Sequence, residues 1–445
     1  FSALHQSLEE QYKPCDCEYC RTLNLSDGNS DKKPIFKKVL NAAEKAFKKL
    51  HELGTYKPED LAKIKEYKAL INETANVFKL GISQKVPEEM KDYLEKDIFV
   101  FSGLKTHAQL AEARSLLKDS DGKIRPYHLF EQDVLKLNEK YNQNYLEAEW
   151  QFAQSSSQSA ANWANLSDSE RYNLQYRTAG DEKVRESHAA INGTTLPKSS
   201  EFWISYYPPN GWRCRCIVVL VLASKYPATD VEKATAAAEK ATTQIGKNGK
   251  NKLEMFRFNP GLEKRVFPKG NSYNPKHCDG SKLNVSGLIG LSSFVLNAEN
   301  ERCKAKKIIE NLAELNKKRK EADKKHLDWF SEKFKKGTFD VMTGKQFENE
   351  VRISKSCIVH LLNHIADIDN KEMIRDYKTI LENSEFVEKV ELDASKDKKN
   401  YGKKLGRGVL YYRYYNSSWN GLDLIIHMEV MKNGYEQPYT FSIKK

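Results

Sequence analysis

From about residue 33 to residue 173 apolar side chains recur at three- and four-residue intervals, and near Leu174 that period gives way to short alternating and β-branched runs. A chain patterned this way must build a helical first half and then a mixed unit, an α+β protein. "KPIFKKVLNAAEKAFKKLHELG" places Phe36, Val39, Leu40, Ala43, Phe47 and Leu50 on one face and stops on Gly54 behind basic residues. "KPEDLAKIKEYKALINETANVFKLG" repeats the design with an acidic first turn and a closing Gly81. A third block, residues 87 to 117, reads as helix interrupted by a short apolar run at Phe99 to Phe101. A longer helix is expected from about Tyr127 to Asn165, with Trp150, Phe152 and Trp163 on its buried side.

Beyond Leu174 a short strand, a turn and a short helix precede "CIVVLVLA", whose β-branched content predicts a buried strand. An Ala/Lys/Thr-rich helix follows, then "GKNGKNK", a flexible linker by composition, and an aromatic, turn-rich stretch. From Asn297 to about Lys336 a charged helix is expected, with 13 Lys/Arg against 8 Asp/Glu between residues 301 and 340. The last hundred residues read as helices followed by strands. The resulting division is a Cys-containing segment (1–32), a helical region (33–173), an α+β core with an aromatic extension (174–280), a linker with the charged helix (281–336) and a C-terminal α+β domain (337–445).

At 445 residues the chain exceeds one hydrophobic core. It is 39% apolar and 30% charged, and no apolar run is long enough to cross a bilayer, so no membrane partner is expected. The chain begins with Phe1, and no basic-apolar-small cleavage pattern follows. Eight cysteines are too few and too clustered for a disulfide-stapled scaffold, which points to a reducing compartment and synthesis in a cytoplasm. A net charge of +12 and a pI near 9.0 favour polyanionic partners, DNA or RNA, although Lys-rich solvated helices produce the same total.

The most crowded stretch is "SYYPPNGWRCRC", residues 205 to 216. With Tyr176-Arg177-Thr178, Gly180-Asp181, Val184-Arg185, His188, Asn192-Gly193, Leu196-Pro197 and Phe202-Trp203 ahead of it, the series through Pro208-Pro209-Asn210-Gly211-Trp212 to Cys214-Arg215-Cys216 resembles the signature of phage Mu F-like head morphogenesis proteins, the minor head proteins. "IFVFSGLKTHAQL" and "MFRFNPGLEKRVFPKGNSY" are similar to the flanks of Bacteroidetes prophage members, extending the resemblance over residues 90 to 275. The resemblance implies a virion component, made in a bacterial cytoplasm, at the portal vertex or capsid interior, with portal and capsid proteins as partners, acting in head assembly and in genome packaging or delivery. It carries over no catalytic residue.

The residues also have physical readings of their own. Two prolines before Asn-Gly specify a tight turn, and alternation sends Cys214 and Cys216 to one face and Arg213 and Arg215 to the other. The two thiols are half a zinc site, with His188 as a third ligand, or else a buried pair packing as small hydrophobes. Cys15, Cys17 and Cys20 pose the same choice. Three thiolates with His5 or a distant cysteine satisfy tetrahedral zinc, and a redox-labile terminal segment is the alternative.

The C-terminal segment is similar in topology to the compact nucleases of the barnase/EndoU/RelE group, which implies a metal-independent ribonuclease, a toxin with an immunity partner. RNA cleavage through the 2′-hydroxyl needs a base, an acid and cationic stabilisation of the phosphorane. His360 and His364 lie four apart on one helix face, Lys403, Lys404 and Arg407 sit in a basic turn, and Tyr439, Thr440 and Ser442 lie on the last strand; His360, His364, Lys403, Arg407, Thr440 and Ser442 are the catalytic candidates. Residues 393 to 415 hold seven Lys/Arg against two Asp beside "YYRYY", so Lys403, Lys404, Arg407, Arg413 and Tyr414 are the candidates for nucleic-acid binding. A solvated His pair and a hairpin with ordinary cross-strand tyrosines describe the same residues. In that case the domain binds portal, capsid or DNA without chemistry. No HExxH is present, and His427 in "LDLIIHMEV" reads as a satisfied core histidine.

Overall fold

The computed structural model describes residues 34–246, 249–276, 278, 293–333, 339–365, 367–393 and 401–444. Cys15, Cys17 and Cys20 lie outside them. The chain divides into two compact units between Ala313 and Glu314, within the charged helix rather than after it.

The first unit opens with helices α1 (Pro34–Leu53), α2 (Lys65–Lys79), α3 (Glu88–Ser115), α4 (Tyr127–Glu139) and α5 (Leu146–Asn165). A π-helical segment, Lys140–Tyr145, joins the last two into one long element. Helix α3 runs unbroken through Phe99 to Phe101, correcting the expected interruption. Its Ser102, Lys105, Thr106, His107 and Gln109 are buried along with Phe101, Leu104 and Leu110. A helix enclosed on every side loses the amphipathic period by which it is recognised. Gly103 marks where the charged helix crosses it, since a Cβ there would stand 2.6 Å from Ile309 Cγ2.

The aromatic, turn-rich segment completes this helical core instead of extending the α+β part. Phe267 stacks on Phe101 at 3.6 Å between ring centroids, and Phe256, Phe258, Val266 and Tyr273 join the same cluster. The described ends of "GKNGKNK" pair with each other, Ile245 bridging to Asn251 and Gly246 N–H donating to Lys250 O at 2.8 Å. The cysteine expectation is also corrected. Cys278 and Cys303 form a disulfide, Cα–Cα 5.4 Å, because the turn-rich segment folds back onto the charged helix, α10 (Ser293–Lys333).

Strand β1 (Tyr172–Arg177) is central in a three-stranded antiparallel sheet, flanked by β2 (Thr195–Leu196) and β3 (Ile217–Leu222). The short helices are α6 (Glu186–Ala189), α7 (Phe202–Tyr206), α8 (Val231–Ala241) and α9 (Pro260–Glu263). β3 is an edge strand. Val218 and Val221 turn inward while Ile217, Leu220 and Leu222 are exposed, so the apolar run is half-buried rather than buried.

The second unit contains a six-stranded sheet in the order β4-β5-β9-β8-β7-β6, antiparallel throughout except where β5 meets β9. Strands β4 (Phe339–Met342) and β5 (Glu350–Ser354) precede helices α11 (Lys355–His364) and α12 (Tyr377–Glu382), an addition to the expected helices-then-strands order. Then come β6 (Glu385–Glu391), helix α13 (Tyr401–Gly406), β7 (Val409–Trp419), β8 (Leu422–Met431) and β9 (Tyr435–Ile443). Leu424, Ile426, Met428 and Phe441 pack with Ile358, Leu361 and Leu362 of α11. Among the described residues no helix is long and apolar enough to cross a membrane.

The helical core also holds a buried ion pair. Lys105 and Glu149 are fully buried and bonded to each other, Lys105 Nζ also donates to Tyr141 O at 2.7 Å, and Tyr273 Oη donates to Glu149 Oε1 at 2.9 Å. Lys105→Met leaves the carboxylate uncompensated and should cost about 3–5 kcal/mol in urea denaturation of the full chain, whereas Lys105→Met with Glu149→Leu should recover most of the loss.

Candidate functional site

Two side-chain constellations emerge, one in each unit. In the first unit the peptide Pro208-Pro209 is cis, and the hydrogen-bonded turn centres two residues beyond the predicted Asn-Gly, with Cys214 N–H donating to Gly211 O at 3.2 Å. Asn210 is not a surface turn residue. It is fully buried, accepting from Tyr176 Oη at 3.0 Å. Gly211 leaves close room for Arg185, whose Nη1 would stand 3.1 Å from a Cβ there and whose Nη2 donates to Trp212 O at 2.5 Å. Arg213 takes a left-handed φ of 59°, so the expected strand-like alternation begins only after it. From there Cys214 and Cys216 are buried and Arg215 is exposed.

Arg215 forms a two-pronged ion pair with Asp181, at 2.7 and 2.6 Å, which holds the Asp181 carboxyl below its usual range. Trp203 is fully buried with its Nε1 donating to Pro197 O at 3.1 Å, and Arg177 Nε donates to Gln175 Oε1 at 3.0 Å. His188, from α6, is buried with Nδ1 at 3.7 Å from Cys214 Sγ and 3.4 Å from Cys216 Sγ. The sequence-predicted trio is therefore gathered in one place. Hydrogen bonding with Cys216 holds the Cys214 thiol well below the usual thiol range, and the same contact together with burial pushes Cys216 up.

In the second unit the rings meet around Tyr439. The register sets Tyr414 opposite His427 and His427 opposite Thr440, and a bulge then pairs Met428 with Pro438, leaving Tyr439 as the extra residue on β9. Its ring lies 4.2 Å from His360, 5.7 Å from His364, 5.1 Å from His427 and 6.3 Å from Tyr412, centroid to centroid. His360 and His364 are 4.5 Å apart, and His427 stacks on Tyr414 at 4.5 Å. Arg407 lies over Tyr439 at 5.9 Å and Lys404 over Tyr412 at 5.0 Å.

His427 is not a satisfied core histidine. It is only half-buried, and its Nε2 and that of His360 are buried with no hydrogen-bond partner among the described residues. Burial, then Lys404 and the two other imidazoles, bring the His427 pKa down to about 4. Burial, then His364 and Arg407, also lower that of His360.

The charged candidates separate. Arg407 is bonded to buried Glu429, which also accepts from Gln437 Nε2 at 2.9 Å. Arg413, expected to bind nucleic acid, is buried away from the histidines. It pairs with Glu348 at 2.9 Å and Glu436 at 3.6 Å and lies over Phe386, because it sits out of phase with Tyr412 and Tyr414 on β7. Lys403 is exposed on α13, Thr440 is half-buried opposite His427, and Ser442 is exposed opposite Ile425. Sequence reasoning missed Tyr412, Glu429 and the centrality of Tyr439. The available signal was phase, since Tyr412, Tyr414 and His427 share a face only in one register.

A family model described as Phage Mu protein F like protein matches residues 127–219. The chain is also similar to the putative capsid assembly protein F of Escherichia phage Mu, 30% identical over 107 residues that make up 23% of this chain and 24% of that protein. The chain thus covers well under two thirds of that relative's length. No solved structure matches the chain. The matched segment runs from the start of α4 into β3, narrower than the resemblance read from the sequence, and contains Arg177, Asp181, Arg185, His188, Trp203, the Pro208-Pro209 bend, Trp212 and both cysteines. Over residues 127–219 the chain is similar to the Phage Mu protein F like family.

Proposed function

We propose that the protein acts in phage head morphogenesis through its first unit, as a virion component in contact with portal and capsid proteins, and that its second unit is a metal-independent ribonuclease. The head role rests on the family match and on the relative's name. The ribonuclease rests on one observation, the convergence of three imidazoles on Tyr439 with two ring nitrogens buried and unpartnered.

The chemistry follows from the set. His427, held neutral, takes the proton of a 2′-hydroxyl, whose oxygen attacks the adjacent phosphorus. The bond to the 5′-oxygen breaks, His364 at the exposed rim supplies the proton to that leaving group, and a 2′,3′-cyclic phosphate remains. Lys404 stabilises the phosphorane charge, and Tyr414 and Tyr439 offer faces for a base. The Arg407–Glu429 pair favours a second reading, in which the unit binds portal, capsid or DNA without catalysis, because a neutralised guanidinium contributes little to phosphate binding.

Total RNA incubated with the purified full chain decides between them. Cleavage to products with 2′,3′-cyclic ends that persists in EDTA, and that falls by about 10²–10⁴-fold in His364→Ala and His427→Ala, supports the enzyme. Intact RNA across a wide protein range moves the unit to the binding role. The pH dependence has a defined sign. A base whose pKa is lowered to about 4 stays deprotonated well below the ordinary histidine value, so the rate should hold as pH falls through 6.5 and collapse only as it approaches 4. For the head role, a prophage with this gene disrupted should release no filled heads on induction, and His427→Ala should leave head yield unchanged.

A further inference from the structure

Buried His107 gives its Nδ1 a single partner, Tyr56 Oη at 2.7 Å. His188 differs. Its Nδ1 carries one lone pair or one proton and so has one hydrogen-bonding direction, yet two sulfurs stand at 3.7 and 3.4 Å from it. One imidazole nitrogen cannot serve both.

The spacing has another origin. Zinc bonds of about 2.3 Å to sulfur and about 2.0–2.1 Å to nitrogen, at a tetrahedral angle, place sulfur and nitrogen about 3.6 Å apart. The two observed separations bracket that edge. The three donor atoms lie within 4.8 Å of one another, and all three residues are buried beside the apolar cluster of Leu174, Tyr176, Trp203 and Tyr207. Two thiolates and a divalent cation sum to zero charge, which is the condition for leaving an ion in such surroundings. The Tyr176 hydroxyl is within hydrogen-bonding reach of Cys216.

We infer that His188, Cys214 and Cys216 form a structural zinc site that ties the single-turn helix α6 to the strand following the Pro208-Pro209 bend. Helix α6 has only four residues and buries only His188, so it lacks the apolar face that would anchor it otherwise. The inference is independent of the ribonuclease reading and concerns the other unit.

The test uses the full chain carrying Cys15→Ser, Cys17→Ser and Cys20→Ser, which removes the other thiol cluster. After refolding with equimolar zinc and desalting, elemental analysis should find one zinc per chain, and Cys214→Ser and His188→Ala should each lower retention by about tenfold or more. Cobalt(II) in place of zinc should give intense thiolate-to-metal absorption in the near ultraviolet, which settles the question in the folded parent if a ligand variant fails to fold. Absence of that absorption, or full zinc retention in a folded Cys214→Ser variant, overturns the site.

Discussion

The first unit depends on one local constraint, the bend from Pro208 to Cys216, which hands neighbouring side chains to two different cores. Trp212 packs at 4.9 Å on Phe152 and 5.3 Å on Phe256 in the helical core. Two residues later Cys214 enters the α+β core with Trp203 and Tyr207. The left-handed Arg213 between them turns the chain from one to the other, and such a conformation persists only where its neighbours hold it. Arg185 supplies that hold by clamping the Trp212 carbonyl from the side that Gly211 leaves open. The two prolines, the glycine, the tryptophan and the cysteines are crowded because each answers to a different neighbour of one bend.

Around this bend the polar residues of the motif act in pairs. Asp181 with Arg215 closes the exposed side, Asn210 with Tyr176 the buried one, and His188 meets both sulfurs. The chemistry of this set is that of fastening, which agrees with the assembly role suggested by the matched family.

The second unit shows how charge in a sequence differs from charge in a structure. Residues 393 to 415 carry a local excess of five positive charges. Buried Glu429 and Glu436, distant in sequence, engage Arg407 and Arg413 and remove both from that excess. What converges instead is a set of aromatic and imidazole rings, gathered because a bulge at Tyr439 turns one ring toward the helix bearing His360 and His364 as well as toward His427.

Element type was largely legible in the amino-acid order, because helical spacing and β-branched alternation are local properties: α1, α2, α4, α5 and strands β6 to β9 fall where periodicity puts them. The pairing of His188 with Cys214 and Cys216 was legible as chemistry. Helix α3, the edge character of β3 and the short strands β4 and β5 were not, since enclosure, sheet position and strand pairing depend on distant partners. The order of residues by itself determined which segments are helix or strand and which residue types could share a site. Only the tertiary structure decided that half-buried His427 lies beside Tyr439, that Arg413 pairs with Glu348 and buried Glu436, and that Cys278 meets Cys303, because each is settled by groups that come close only when the chain is folded.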